Sequence, residues 1–175
     1  MNTEKFRGLV HYIIARCDPS RLGATKLNKI LWFADTVSYR IHGQSMTGAE
    51  YVKRAFGPVP HQIMPTLSFL QSEGNILINE RLKGGLTMKE FVSLREPNID
   101  VLSREERDLV DDICAEICDG HSANSISDLT HDRVWEAANI GESLPMNVVL
   151  ASVPGEVTDE VLAWADSVLE KAIAS

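Results

Sequence analysis

The 175-residue chain has no apolar run long enough to cross a membrane, and its three cysteines (Cys17, Cys114 and Cys118) lack the spacing of a zinc-binding motif. A membrane-spanning helix needs about 20 predominantly apolar residues in a row, so we expect no membrane partner. Residues 1–18 carry charges throughout their apolar stretch and have no small-residue cleavage site, which argues against a secretory signal. An odd number of cysteines suits a reducing compartment. These absences together predict a cytoplasmic protein.

Signatures of catalysis are missing as well. The chain has no G-x-S-x-G nucleophile elbow, and its Gly84-Gly85 pair does not precede a predicted helix as a phosphate-binding loop would. The polar residues clustered near Trp135 are Asp128, Thr130, His131, Asp132 and Glu136. A histidine among carboxylates can act as a general acid or base, but capping of a short helix explains the same cluster more simply. We predict no enzyme activity, no catalytic residue and no cofactor, with a metal-dependent enzyme using His131 as a third alternative.

The spacing of two cysteines and a histidine raises the possibility of a metal site. Cys114, Cys118 and His121 stand at positions i, i+4 and i+7, which places three soft ligands on one side of a helix. Both cysteines, however, belong to an apolar stripe, and free cysteine is among the most buried residue types. The sequence nominates no fourth ligand, so we predict no metal.

Charge is distributed unevenly along the chain. The 17 Lys and Arg against 25 Asp and Glu give a net charge of −8, which argues against a protein that coats nucleic acid. Residues 1–99 have a balance of +5, whereas residues 100–175 have a balance of −13. A basic face on the first part could therefore meet an acidic partner.

Hydrophobic periodicity predicts a mainly α (α+β) fold, a compact helical domain with a small antiparallel sheet. The predicted helices are one from Phe6 to Cys17, one over 25–42, one ending at Gln71, one opened by a Ser103–Glu106 capping box and closed by Gly120, and one beginning at Thr158. A hairpin is expected around Gly84-Gly85, with Glu80 opposite Lys89. Residues 47–56 fit a short helix or a strand, and residues 57–60 are expected to form a turn.

The order of a helix followed by a hairpin is that of winged-helix domains, which makes a DNA-binding transcriptional regulator the main alternative function. Arg81, Lys83 and Lys89 cluster around the wing, where they would contact phosphates. The preceding helix, however, contains no Lys, Arg or Asn between residues 61 and 72. Base recognition depends mainly on Arg, Lys, Asn and Gln, so this helix is poorly suited to reading DNA.

Three segments carry a resemblance to a known family. Residues 25–35 (TKLNKILWFAD) are similar to the K-L-x-K-L-L-Y-F-A-x opening of the Panacea, or SocA-like, antitoxin domain, with Trp32 in place of the usual tyrosine. Residues 53–60 (KRAFGPVP) resemble its aromatic-Gly-Pro-Val signature, and residues 129–137 resemble its L-[ST]-x-x-T-H…W segment. The residues that match the family motifs are Lys26, Leu27, Lys29, Phe33, Ala34, Thr130, His131 and Trp135.

The resemblance implies an antitoxin of a bacterial or phage toxin–antitoxin system. Members of this family neutralise a cognate toxin, usually encoded beside them, by direct binding, and at least one member acts as a proteolytic adaptor that delivers its toxin to a Clp-type protease. The family carries no known catalytic site. On this interpretation residues 1–145 form the antitoxin domain, and residues 146–175 form a C-terminal helical extension packed on the same domain.

The turn signature suggests where a partner would bind. An aromatic side chain beside arginine on a rigid turn is typical of binding hot spots, although burial of Phe56 in the core is an equally good explanation. The residues we select as partner contacts are Trp32, Tyr39, Arg40, Tyr51, Lys53, Arg54, Phe56, Gly57 and Pro58.

Overall fold

The structure, a computed structural model, describes residues 1–83, 85–123, 125, 136 and 138–147. The helices with described bounds are α1 (Thr3–Arg16), α2 (Ala24–His42), α3 (Ile63–Ser72) and α4 (Arg104–Gly120). The strands are β1 (Tyr51–Arg54), β2 (Gly57–Pro60), β3 (Ile76–Lys83), β4 (Leu86–Ser93) and β5 (Ser143–Leu144), and a single 3-10 turn covers Ile99–Val101. The predicted last helix and the predicted 146–175 extension lie outside the described residues apart from Met146 and Asn147.

Local capping signals account for several of the helix ends. The Asn2 side chain accepts a hydrogen bond from the Lys5 backbone N–H and opens α1. The predicted capping box is confirmed at α4, where Ser103 Oγ accepts from the Glu106 N–H (3.2 Å) and Glu106 Oε2 accepts from the Ser103 N–H (2.9 Å). α2 ends as predicted at Gly43, which has a φ of 71°. These caps satisfy backbone groups that would otherwise lack helical partners.

Two small antiparallel sheets lie among the described residues and, together with the helices, confirm the predicted class. One has three strands in the order β2-β1-β5, and the other is the β3–β4 hairpin. Glu80 pairs with Lys89 across that hairpin, as the alternation of its apolar residues predicts. The order α3, β3, β4 also confirms the expected sequence of a helix followed by a hairpin.

The segment around residues 47–60 differs from the prediction. β1 resolves the ambiguity in favour of a strand, and the expected turn at residues 57–60 is wrong because these residues form β2. The turn lies one step earlier, at Ala55 and Phe56. Prolines are tolerated in β2 because it is an edge strand, where a missing N–H breaks no ladder on the outer side. The sequence marks this site by its prolines but does not show on which side of Gly57 the chain reverses.

The core lies between α1, α2 and α4, with the sheets closing it from the side. The predicted apolar stripes of the helices supply it, and its fully buried members include Phe6, Leu9, Ile13, Leu27, Ile30, Leu31 and Val110. Leu144 on β5 is also buried, and Met146 packs partly against the core. The chain therefore still contributes to the core where its described part ends.

Gly8 permits a close approach between α1 and the 3-10 turn. A Cβ atom at Gly8 would clash with Val101 Cγ2, so either the valine side chain or one of the two elements must shift. We expect Gly8→Ala to lower the free energy of unfolding by about 1–2 kcal/mol, since overpacking outweighs the helix propensity gained. Urea denaturation measures this change.

Gly120→Ala is the matched control for that prediction. A Cβ there would approach only the end of the flexible Glu116 side chain, at 3.3 Å. Its unfolding midpoint should stay close to that of the wild-type protein. Equal midpoints for both variants would show that the α1 contact with the 3-10 turn is not tight.

Candidate functional site

The β1–β2 hairpin presents the most exposed aromatic side chain of the described residues. Arg54 pairs with Gly57, and the two-residue turn between them carries Ala55 and Phe56. The Phe56 side chain is 68% exposed, and Arg54 and Ala55 are exposed as well. Gly57 has a φ of 114°, a conformation that only glycine adopts readily, so the turn depends on this residue. The alternative in which Phe56 fills the core is therefore wrong.

A second exposed apolar side chain lies at the same end of the three-stranded sheet. The Gly141 N–H donates to the Lys53 carbonyl (2.9 Å), which places the turn at residues 139–142 beside the end of β1. Ile140 in that turn is 63% exposed. We refer to Arg54, Ala55, Phe56 and Ile140 as the hairpin-tip surface.

Tyr51 connects the base of the hairpin to α2. Its hydroxyl lies 2.8 Å from both the Leu31 carbonyl oxygen and Oδ2 of Asp35. Its ring meets that of Trp32 edge to face, with centroids 4.9 Å apart and planes at 73°. Both side chains are buried. They therefore support the hairpin from inside and contribute little to any surface that a partner could reach.

Asp35 is the buried acceptor on which this contact depends. Besides Tyr51, it accepts hydrogen bonds from the Thr47 N–H and the Thr47 hydroxyl, both at 2.7 Å. Burial raises the pKa of Asp35, while the hydrogen bonds from Thr47 and Tyr51 act in the opposite direction. The Thr47 carbonyl in turn accepts from the Asn2 N–H (2.9 Å). One carboxylate thus fastens the loop before β1, and β1 itself, to α2.

Lys53 links the second and third motif segments. Its Nζ donates to the carbonyls of Ala138 (2.9 Å) and Glu136 (3.4 Å), and its N–H donates to the Glu142 carbonyl (2.9 Å). The side chain is buried, unlike that of its neighbour Arg54. Residues more than 80 positions apart are therefore held together at the base of the hairpin tip.

Lys53→Met tests this structural role. The substitution keeps the aliphatic stem but leaves partly buried carbonyl oxygens without their donor, so we expect a loss of about 1–2 kcal/mol in the free energy of unfolding. Arg54→Met, on the adjacent exposed residue, is the matched control and should change stability by less than about 0.5 kcal/mol. Urea denaturation of both variants measures the difference. Equal stability would contradict a structural role for the Lys53 ammonium.

The two motif lysines of α2 are also buried. Lys26 Nζ donates to the Cys118 carbonyl (3.1 Å) in the last turn of α4, where a cation is favoured by the helix dipole. Burial lowers the pKa of Lys29 to about 8. Leu27 and Ala34 are core residues, and Phe33 is half-buried. The described motif residues of α2 thus serve the scaffold.

The structure divides the predicted partner contacts into two groups. Arg40, Arg54 and Phe56 are exposed and Tyr39 is half-buried. The buried ones are Trp32, Tyr51, Lys53, Gly57 and Pro58. The sequence analysis did not predict a role for Asp35 or Ile140, although Asp35 stands out as an acid on an otherwise apolar helical stripe. The motif residues Thr130, His131 and Trp135 lie outside the described residues.

The wing offers a less distinct basic surface than its composition suggests. Arg81 is exposed but lies 3.6 Å from Glu90, and Lys89 stands opposite Glu80. The Lys83 side chain lies outside the described part of the structure. On α3, the helix that would read DNA, the exposed residues include Met64 and Phe69 but no cation. The charges of the wing are thus largely balanced within the hairpin.

Among the described residues, no group of three or more His, Cys, Asp or Glu side chains is placed to hold a metal ion. None of the helices in that part of the chain combines the length and apolar character that crossing a bilayer requires.

Comparison with known proteins identifies the family. No curated protein and no solved structure matches the chain. A family model described as "Antitoxin SocA-like, Panacea domain" matches residues 27–136, which is more than half of the chain and contains the whole β1–β2 hairpin. The chain belongs to the SocA-like antitoxin family and carries its Panacea domain.

Proposed function

We propose that this protein neutralises a cognate toxin, encoded beside it in a bacterial or phage genome, by direct non-enzymatic binding through the hairpin-tip surface. The observation that carries the proposal is the Phe56 side chain, 68% exposed on a turn that belongs to the family's matched region. An exposed aromatic side chain next to an arginine, in a region that the family model covers, is well suited to contact a partner protein.

The hairpin is built to hold that side chain in place. Positive φ at Gly57, two prolines in β2 and the buried contact between Tyr51 and Asp35 restrict the turn before any partner arrives. Such preorganisation lowers the entropy cost of binding. Rigid aromatic and arginine side chains are also the residue types enriched in binding hot spots.

The composition of the surface indicates what a partner must provide. Phe56 and Ile140 require an apolar pocket, and Arg54 beside them requires a carboxylate at its rim. We therefore propose a toxin surface with an apolar depression bordered by Asp or Glu.

Co-expression with the toxin from the adjacent gene tests the proposal. The wild-type protein should restore growth, and the Arg54→Ala, Phe56→Ala double variant should not. Leu82→Ala, at a 77% exposed residue of the other hairpin, is the matched control and should restore growth. Immunoblots check that all three proteins accumulate to the same level. Growth restored by the double variant would exclude the hairpin tip as the contact.

The antitoxin could also neutralise the toxin by delivering it to a Clp-type protease instead of inhibiting it directly. An adaptor shortens the lifetime of the toxin, whereas direct inhibition leaves its amount unchanged. Toxin half-life measured with and without the antitoxin, in cells that have or lack the protease, separates the two routes.

DNA binding remains the second candidate because the α3, β3, β4 order is that of a winged helix. A gel shift on the protein's own promoter tests it. Binding that weakens steeply with salt would support this function, since phosphate contacts release counterions. The absence of any shift would remove it.

We propose that residues 1–145 contain the toxin-binding unit and that residues 146–175 are a helical extension on it. A chain shortened after residue 145 should still restore growth, and its failure to do so while remaining folded would assign the extension to toxin binding.

A further inference from the structure

All three cysteines of the chain meet where the end of α1 faces the last turns of α4. Cys17 is the C-cap of α1, and Cys114 and Cys118 lie one turn apart on α4. The sulfur atoms of Cys17 and Cys118 are 3.1 Å apart, although 101 positions separate the two residues in the chain. The distance exceeds a disulfide bond by about 1 Å, a gap that small side-chain rotations can close.

Two ion pairs hold these elements together on either side of the thiols. Arg16 binds Asp111 through two hydrogen bonds, at 2.8 and 2.9 Å. Arg21 forms a second ion pair with Asp119. Arg16 and Arg21 flank Cys17 in sequence, and Asp111 and Asp119 enclose the two cysteines of α4, so the ion pairs border the thiols on both sides.

A cavity gives small molecules access to the buried thiols. It has a volume of about 310 Å³ and is lined by all three cysteines together with the charged side chains of both ion pairs. A hydrogen peroxide molecule is little larger than a water molecule, which occupies only about 30 Å³ in the liquid. The thiols are therefore shielded from macromolecules but open to small oxidants.

We propose that Cys17 and Cys118 are a modification site, which hydrogen peroxide entering this cavity converts into a reversible disulfide. The thiolate of one cysteine attacks a peroxide oxygen, breaking the O–O bond to form a sulfenic acid and release hydroxide, which takes up a proton to become water. The second thiol attacks the sulfenic sulfur and a second water leaves. In total, two thiols and one hydrogen peroxide give one disulfide and two waters.

The surroundings of the thiols predict how fast this reaction runs. A hydrogen bond with Cys114, together with burial, raises the pKa of Cys17 to about 12. The hydrogen bond with Cys17, followed by burial, likewise raises the pKa of Cys118. Because the thiolate is the reactive form, oxidation should be slow near neutral pH and accelerate as the pH rises.

Treatment of the full chain with hydrogen peroxide, followed by mass spectrometry, tests the proposal. The expected product is about 2 Da lighter, contains a Cys17–Cys118 cross-linked peptide and returns to its original mass with dithiothreitol. It should form faster at about pH 9 than at about pH 7. Closing a loop of this length should also raise the Tm by roughly 5–10 °C.

Single cysteine variants identify which two thiols form the disulfide. Cys114→Ala should still lose about 2 Da, whereas Cys17→Ala and Cys118→Ala should not. Peptide mapping of the wild-type protein answers the same question should a variant fail to fold. Unchanged mass, oxygen addition without a cross-link, or a disulfide that uses Cys114 would each overturn the proposal.

Discussion

Replacing Phe56 by alanine is expected to weaken toxin binding about 30- to 100-fold, which corresponds to about 2–3 kcal/mol. Phe56 is 68% exposed, so truncating its side chain removes little packing from the core and should change the free energy of unfolding by less than about 0.5 kcal/mol. A large change in affinity without a change in stability is the signature of a contact residue. Calorimetric titration with the toxin and urea denaturation measure the two quantities.

Leu82→Ala supplies the control for that experiment. Leu82 is 77% exposed on the β3–β4 hairpin, so truncating it removes a comparable exposed apolar group from a different surface. Its toxin affinity should stay within about twofold of the wild-type value. Equal affinities for both variants would place the toxin contact elsewhere on the domain.

Replacing Asp35 by alanine is expected to have the largest effect on stability, a loss of about 3 kcal/mol in the free energy of unfolding. The substitution leaves the Thr47 N–H and hydroxyl without their acceptor and removes one from Tyr51, all in the buried base of the hairpin. Each buried polar group without a partner costs about 1–3 kcal/mol, an amount that relief from burying a charge offsets in part. Urea denaturation measures the loss.

Asp35→Asn distinguishes hydrogen bonding from charge. The amide oxygen can still accept from the Thr47 N–H, and the hydroxyls of Thr47 and Tyr51 can rotate to accept from the amide group. We therefore expect Asn to retain most of the stability that Ala loses. Equal destabilisation by both substitutions would show that the negative charge itself holds the loop.

The same pair predicts a pH dependence. The pKa of Asp35 is raised in the folded protein above the ordinary value of 3.8, so the folded state binds its proton more tightly than the unfolded state does. Ionisation of Asp35 therefore costs stability at neutral pH, and this cost disappears as the pH falls from the raised pKa to below 3.8. The stability of the wild-type protein relative to Asp35→Asn should accordingly increase on acidification. If the stability of the wild-type protein relative to Asp35→Asn stays constant or falls on acidification, the result would contradict a raised pKa of Asp35.

Features encoded by neighbouring residues could be predicted from the sequence. The Ser103–Glu106 capping box fixes the start of α4 because both hydrogen bonds join residues three positions apart. The register of Glu80 with Lys89 follows from a short turn between alternating strands. The motif match led to the family, but the turn that it predicted at residues 57–60 lies at Ala55 and Phe56.

Features that depend on distant contacts could not be predicted. Lys53 looks like a surface charge in the sequence, and only the carbonyls of residues 136 and 138 show why it is buried. Lys26 is likewise explained by a carbonyl of α4 more than 90 positions away. Ile140 lies at the hairpin tip because the Gly141 N–H donates to the Lys53 carbonyl, a contact that no local sequence pattern predicts.

These buried lysines change the meaning of the charge distribution. Residues 1–99 contain 13 Lys and Arg, and three of them, Lys26, Lys29 and Lys53, are buried. The basic character of this part is therefore partly internal and supports the fold. This weakens the argument for a broad basic face on the first part of the chain.

Titration of the purified toxin with this protein, in the absence of any protease, tests the central claim most directly. If neutralisation is by direct binding, toxin activity should fall in proportion to the added antitoxin and reach zero at a fixed stoichiometry. The Phe56→Ala variant should require a large excess to reach the same inhibition. Full toxin activity at saturating wild-type protein would contradict direct neutralisation.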